Sequence, residues 1–347
     1  MGQRELYLVR KRSAMNPEKL DVVAIGNAIV DVLINTEESF LREHSLAKGN
    51  MTLITQEKAE ELYSKSDPSL ETSGGSAANT IAGLSELGSN AEFIGRVKKD
   101  ALGNTFKDDI CSTGAVFNTP PIKYGPSTAR CFIYVTPDAE RTMCTYLGAS
   151  VLLETKDIDF SILGETKILY LEGYLWDLEK AKSALKASAE ECKKLGGKIA
   201  LSLSDSFCIE RHRESFQELL EKNIDILFAN ENEIISLYNS SSLDDAIENI
   251  KPKCEIAVIT IGGKGSIIIS GDEKYLIKPY NFGKVIDTTG AGDLYASGFL
   301  HGYVNGLDLQ TCGNIGSTCA GYIVSQLGSR SKVSLKDIVI ERLGLPA

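Results

Sequence analysis

Two hydrophobic periods alternate along this chain. Residues 20–25 form a nearly unbroken apolar run, the pattern of a strand buried on both faces. Gly26-Asn27 interrupts it, and residues 28–34 continue it with Asp31 in the middle. The 3.6-residue period predicts helices over 37–44 and 56–64, with a short strand over 51–54 between them. A helix of small residues follows Gly74 and ends at Gly88, then a strand over 93–95 and a helix over 104–113. Residues 128–135 and 142–147 alternate like two strands joined by the turn Pro137-Asp138-Ala139-Glu140. From Ile158 onward strands and helices alternate regularly. Strands are predicted over 168–171, 199–203, 224–229 and 256–261, and helices over 178–195, 211–222, 230 onward and 243–250. Residues 266–270 and 274–277 read as a hairpin around Gly271-Asp272. An apolar run over 275–286 leads to a glycine-rich turn, a helix over 294–304 and a last helix over 312–326.

Strands alternating with helices predict a mostly parallel central sheet with helices on both faces, a three-layer α/β domain. The pair 128–147 has no helix between its strands, so it belongs to a smaller antiparallel piece. The expected division is a large domain over 19–27, 54–116 and 148–347, and a small discontinuous β lid over 28–53 and 117–147. Residues 1–18 carry Arg4, Arg10, Lys11 and Arg12, lack the apolar core of a signal peptide and read as a disordered extension.

Composition narrows the class. Of 347 residues 43% are hydrophobic and 24% charged, and no apolar run reaches membrane-spanning length. A formal net charge of −10 argues against nucleic acid as the main partner. The eight cysteines show no CxxC spacing, which favours free thiols in a reducing, cytoplasmic setting. His44, His212 and His301 have no metal-ligand spacing.

The chemistry concentrates in Asp287-Thr288-Thr289-Gly290-Ala291-Gly292-Asp293. Small residues at a helix start leave backbone N–H groups open to an anion, and the helix dipole favours negative charge there. A carboxylate in the same turn, Asp293, suits a base that takes a hydroxyl proton while Gly290, Ala291 and Gly292 hold a phosphoryl group. A glycine-rich turn capped by Asp is the plain alternative. Gly74-Gly75-Ser76-Ala77-Ala78-Asn79 precedes the small-residue helix, and bare backbone plus an amide suits a polyhydroxyl ligand. Asn230 and Glu233 follow a buried strand, either as a helix cap or facing a ligand crevice. Asp31 inside an apolar stretch requires a partner or a site. Neither a Walker A motif nor a dinucleotide fingerprint occurs.

The 287–293 and 74–80 stretches, in this order, resemble the two signatures of the ribokinase-like (pfkB) family of carbohydrate and nucleoside kinases. The likeness covers Asp21 to the C-terminus and is greatest to the adenosine kinase branch, through Gly26-Asn27-Ala28-Ile29-Val30-Asp31 and Leu169-Tyr170-Leu171-Glu172-Gly173-Tyr174. It implies the ribokinase-like three-layer fold and ATP-dependent phosphorylation of a ribosyl primary hydroxyl, most of all the 5′-OH of adenosine. A ribokinase or other sugar kinase is the alternative, and a binding-only relative a more distant one. In this resemblance Asn27, Asp31, Gly75, Ser76, Asn79, Leu147 and Tyr174 meet the substrate, and Leu33 and Met143 are further base contacts. Arg141 reaches the γ-phosphate on lid closure. Asn230 and Glu233 serve Mg²⁺ brought with ATP, and Thr260, Gly262, Gly265 and Asn314 the nucleotide. A K⁺ ion is expected at Asp287, Thr289, Gly328 and Ser329. The implied partners are ATP and a nucleoside or sugar, with no nucleic acid or membrane, for a monomer or homodimer.

Overall fold

The computed structural model describes residues 19–138 and 140–345, so the expected extension over 1–18 lies outside the described residues. The main sheet contains β1 (Leu20–Ile25), β5 (Ala91–Ile94), β8 (Thr166–Glu172), β9 (Lys198–Ser202), β10 (Ile226–Asn230), β11 (Ile256–Thr260), β12 (Ser266–Ser270) and β13 (Glu273–Ile277). Their order is β13-β12-β11-β10-β9-β8-β1-β5, parallel from β11 to β5 with an antiparallel hairpin at the other edge.

The apolar strands are buried on both faces, as their unbroken runs predict. Alternate residues supply two cores. Val22, Ala24, Tyr170 and Phe228 pack with α3 (Ser76–Leu87), α4 (Ala101–Ser112) and α9 (Ala291–Val304). Val23, Ile25, Leu169 and Leu201 pack with α5 (Glu179–Lys194), α6 (Ser206–Lys222), α7 (Glu231–Tyr238) and α8 (Leu243–Ile250). Helix α10 (Leu309–Ile323) lies against α9 so closely that a Cβ on Gly298 would come within 2.8 Å of Gly316. This is the three-layer arrangement expected.

The second sheet has the order β3-β7-β6-β2-β4, built from β2 (Ile29–Asn35), β3 (Met51–Leu53), β4 (Leu70–Gly74), β6 (Ala129–Val135) and β7 (Arg141–Tyr146). Its β2 alternates. Val30, Val32 and Ile34 are buried under α1 (Glu38–Glu43), α2 (Gln56–Lys65) and the neighbouring strands, while Ile29 and Asp31 look into a cleft.

Three expectations need correction. Residues 70–74, expected in the large domain, form β4 and pair antiparallel with β2 in the small sheet. Their sequence, LETSG, has no apolar alternation, and the strand is held by backbone pairing to an edge that would otherwise be open. Helix α2, also placed with the large domain, covers this sheet, with Tyr63 against Phe132. The run 275–286 is strand only to Ile277, and Val285 and Ile286 are more than half exposed. A final helix, α11 (Leu335–Leu343), was not anticipated.

Candidate active site

The parallel strands β1, β8, β9, β10 and β11 end on one edge of the sheet, where ligands bind in open α/β sheets. Asn27, Glu172, Ser202, Asn230 and Thr260 sit at or just beyond those ends and line a cavity of about 700 Å³ between the two sheets. The start of α9 closes one wall. Gly290 takes φ +76°, a left-handed turn, and a Cβ there would also meet Ser329 at 2.8 Å. The N–H of Ala291 donates to the Thr288 carbonyl at 3.2 Å. That removes Ala291 from the expected anion hole. The N–H groups of Gly292 and Asp293 have no backbone acceptor among the described residues, and the space beside Gly292 is open.

Asp293 is held by two donors. Ser76 Oγ donates to Oδ1 at 2.6 Å and Asn79 Nδ2 to Oδ2 at 2.9 Å. Both residues come from the first turn of α3, so the two glycine-rich stretches meet across the cavity. Asn79, expected to face substrate, has both ends of its amide engaged: its Oδ1 accepts from Arg330 at 2.8 Å and from Ser329 at 3.2 Å. Burial pushes the Asp293 pKa up to about 6, against the opposing pull of Ser76, Asn79 and the Arg330 charge. A base with a pKa near neutrality is better matched to proton abstraction than an ordinary aspartate.

Asp31 also lines the cavity, and among the described residues its carboxyl makes no hydrogen bond or ion pair. It lies over Gly74, where a Cβ would approach its carboxyl to 2.4 Å. Burial raises its pKa to about 7, with nearby Arg330 opposing. Gly75, at φ +98°, brings bare backbone to the same wall, and a Cβ there would strike the Asn27 carbonyl at 2.2 Å. Glu172 enters the sequence reading only within the stretch 169–174, with no role. Its buried carboxylate accepts from Asn27 N and Nδ2 and from Ala77 N. Its pKa is raised to about 7 by burial. Asn27 is thereby turned with Oδ1 buried and unpartnered at the cavity wall. An acid within an apolar strand is the signal that singled out Asp31, and Glu172 carries it too.

The side of the small sheet facing the cavity is apolar: Ile29, Met51, Leu53, Ile133 and Met143, continued by Leu147. Tyr174 and the largely exposed Phe207 stand opposite on the main domain. Phe207 was missed, and Leu33, expected here, does not reach the cavity.

Asn230 and Glu233 form a reciprocal cap at the start of α7. Glu233 N donates to Asn230 Oδ1, while Asn230 N and Nδ2 donate to the Glu233 carboxylate. Both line the cavity. Burial raises the Glu233 pKa to about 7. Thr260 lines the cavity, whereas Gly262, Gly265 and Asn314 do not. Six acidic residues and one basic residue, Arg211, line it, so a polyphosphate needs a divalent cation with it. Each Glu233 oxygen accepts one hydrogen bond from Asn230 and keeps a lone pair, which suits a magnesium ion that keeps most of its waters. Among the described residues no cluster of three metal-binding side chains exists.

Asp287 does not fit the expected K⁺ site. Its buried carboxylate receives Arg141 Nη1 at 2.6 Å and Nη2 at 2.5 Å, Thr289 N at 2.7 Å and Gly328 N at 2.8 Å. A guanidinium stands where the cation was expected, and the Ser329 hydroxyl is turned to Asn79. Arg141, expected on the phosphates, instead clasps the small sheet to the catalytic turn. Arg141→Ala leaves Asp287 with two backbone donors and no countercharge. It should cost about 1–3 kcal/mol of stability, read as a lower Tm by calorimetry; an unchanged Tm would show that the clasp contributes nothing.

Comparison with known proteins gives the family and the fold. The model of the pfkB family carbohydrate kinase matches residues 19–336. The structure of adenosine kinase from Sinorhizobium meliloti superposes with a TM-score of 0.86 at 43% identity, covering 93% of this chain and 99% of that one. A probable sugar kinase from Rhizobium etli gives 0.87 at 42% identity, covering 94% and 99%. A nucleoside kinase of Methanocaldococcus jannaschii is 28% identical over 78% of this chain and 85% of its own length. No helix among the described residues is long and apolar enough to cross a membrane.

Proposed function

The chain belongs to the pfkB family of carbohydrate kinases, and from that premise we propose that it transfers the γ-phosphoryl group of ATP to the 5′-OH of adenosine, giving AMP and ADP. The observation that carries the choice of a nucleoside is the apolar face of the small sheet. Met51, Leu53, Ile133 and Met143 lie across from Tyr174 and Phe207, beside the unpartnered Asp31. A sugar alone has no flat apolar part to fill that slot. A nucleobase does, while its ribose offers a 2′,3′-diol to the Asp31 carboxyl, the Asn27 Oδ1 and the bare backbone of Gly75.

In this reading Asp293 accepts the 5′-OH proton as the hydroxyl oxygen forms its bond to the γ-phosphorus. The bond from that phosphorus to the β,γ-bridging oxygen breaks, and the electron pair leaves with ADP. The N–H groups of Gly292 and Asp293 and the positive end of α9 hold the charge that develops on the transferred group. Glu233 and Asn230 would hold magnesium through its waters, and magnesium supplies charge neutralisation on the phosphates. Glu172 orients Asn27, and the small sheet excludes water from the reaction.

A sugar substrate is the second reading, favoured by the 42% identity to a probable sugar kinase. ADP release measured with adenosine, other nucleosides, ribose and fructose separates the two. Adenosine should exceed ribose by at least an order of magnitude in kcat/KM; equal use of ribose would move the protein to the sugar-kinase branch.

A further inference from the structure

Arg330 belongs to neither signature stretch, yet its guanidinium lies directly behind the catalytic carboxylate. It comes from the loop after α10, with its side chain 14% exposed. Nη1 donates to Asn79 Oδ1 at 2.8 Å and Nη2 to Ser73 Oγ at 2.7 Å. Ser73 in turn donates from its backbone N and its Oγ to the Asp109 carboxylate. The other end of the Asn79 amide, Nδ2, meets Asp293. An asparagine amide is nearly symmetric in shape and carries opposite polarity at its two ends. Turned over, it would set its NH₂ against a guanidinium and its carbonyl against a carboxylate, two repulsive contacts at once. With Arg330 in place only one orientation is favourable, and in it Asp293 Oδ2 receives a donor while Ser76 serves Oδ1.

We propose that Arg330 is a positioning residue for phosphoryl transfer: it locks the Asn79 amide so that the Asp293 carboxylate is aimed and kept as an acceptor. The inference rests on Asp293 being the base. The positive charge acts in the same sense, lowering the Asp293 pKa against the desolvation that raises it. It also ties β4, through Ser73, to the back of the site, so an edge strand of the small sheet and the catalytic base share one anchor. A purely structural role would be to neutralise Asp109, whose carboxylate lies 3.9 Å from Nε, and that role would leave the chemical step untouched.

The test compares Arg330→Lys and Arg330→Gln with wild type in kcat, the KM of ATP and of nucleoside, and the pH dependence of kcat, with fold checked by circular dichroism. Arg330→Gln should lower kcat about ten- to a hundredfold, with the ATP KM unchanged. Its acidic limb should move to higher pH, because removing a cation raises the pKa of a neighbouring carboxyl. Arg330→Lys should keep the limb in place through its charge but still lose kcat, since one ammonium cannot reproduce the fork to Asn79 and Ser73. It carries the test if the glutamine variant does not fold. In an Asn79→Ala background, changing Arg330 to Lys should have little further effect on kcat. Wild-type kcat and limb in folded Arg330→Lys would overturn the proposal, as would an undiminished effect in the Asn79→Ala background. Normal turnover in Asp293→Asn would instead defeat the reading of Asp293 as base, so the two failures are distinguishable.

Discussion

Asp293→Asn is expected to reduce kcat by about 10²–10⁴-fold, the usual contribution of a positioned general base, with nucleoside and ATP binding changed little. The asparagine is isosteric and can still meet Ser76 Oγ at its carbonyl, so the turn around Gly290 should keep its shape. The proton acceptor is lost, together with the hydrogen bond that Asn79 Nδ2 donates to Oδ2. Wild-type kcat/KM should fall about tenfold per pH unit below a limb near 6, because the base must be ionised to accept a proton. The residual activity of the variant should lack that limb. Pre-steady-state and steady-state rates across pH 5 to 9 on both proteins would check this. Turnover within a few-fold of wild type, or a limb that persists in the variant, would remove Asp293 from the chemical step.

The second large effect is expected at Asp31. A carboxyl with no protein partner, facing the cavity, is poised for donors from the ligand, and hydrogen bonds to a charged group are worth about 1.5–3 kcal/mol each. Loss of the 2′-OH should therefore lower kcat/KM on the order of ten- to a hundredfold in the wild type. In Asp31→Ala adenosine should fall by a similar factor, and most of the preference for adenosine over 2′-deoxyadenosine should vanish, since no acceptor remains to be missed. The raised pKa of Asp31 adds a sign: protonation weakens the acceptor, so the wild-type preference should grow as pH rises through about 7. Unchanged discrimination in Asp31→Ala would make the carboxyl structural.

What could be read in the sequence was what is local. Runs such as LDVVAI and ILFAN state their burial in their own composition, and the reciprocal cap of Asn230 and Glu233 lies within four residues. The turn at 287–293 stands out by its small residues between two acids, Asp287 and Asp293. What could not be read depends on residues brought together from far apart. Asn79 and Asp293 are separated by 214 positions, and Arg141 and Asp287 by 146. Arg141 was singled out but aimed at phosphate, because nothing local indicates that Asp287 would be its partner. Arg330 gave no signal at all. Strand β4 was missed because a segment recruited by backbone pairing needs no apolar alternation. The raised pKa of Asp293 could not be read for the same reason: it comes from burial by other segments.

Neighbouring strands also differ in how far apart along the chain they lie. From β8 to β13 each strand pairs with the next in sequence, through short connections. Ile29 of the small sheet pairs with Ala129, roughly a hundred residues downstream, and Val22 of the main sheet pairs with Ile168, still farther away. Loop-closure entropy makes the first kind of pairing fast and the second slow. Refolding should then begin in the β8–β12 half and finish where distant strands meet, at β1–β8 and β2–β6, which pulse-labelled hydrogen exchange would resolve as early protection of Leu227 and Val258 and late protection of Val32 and Phe132. Earlier protection of β2 would contradict this order. The wall proposed to select the substrate is thus among the last parts of the enzyme to form, and by the same reasoning among the first to open when the fold is stressed.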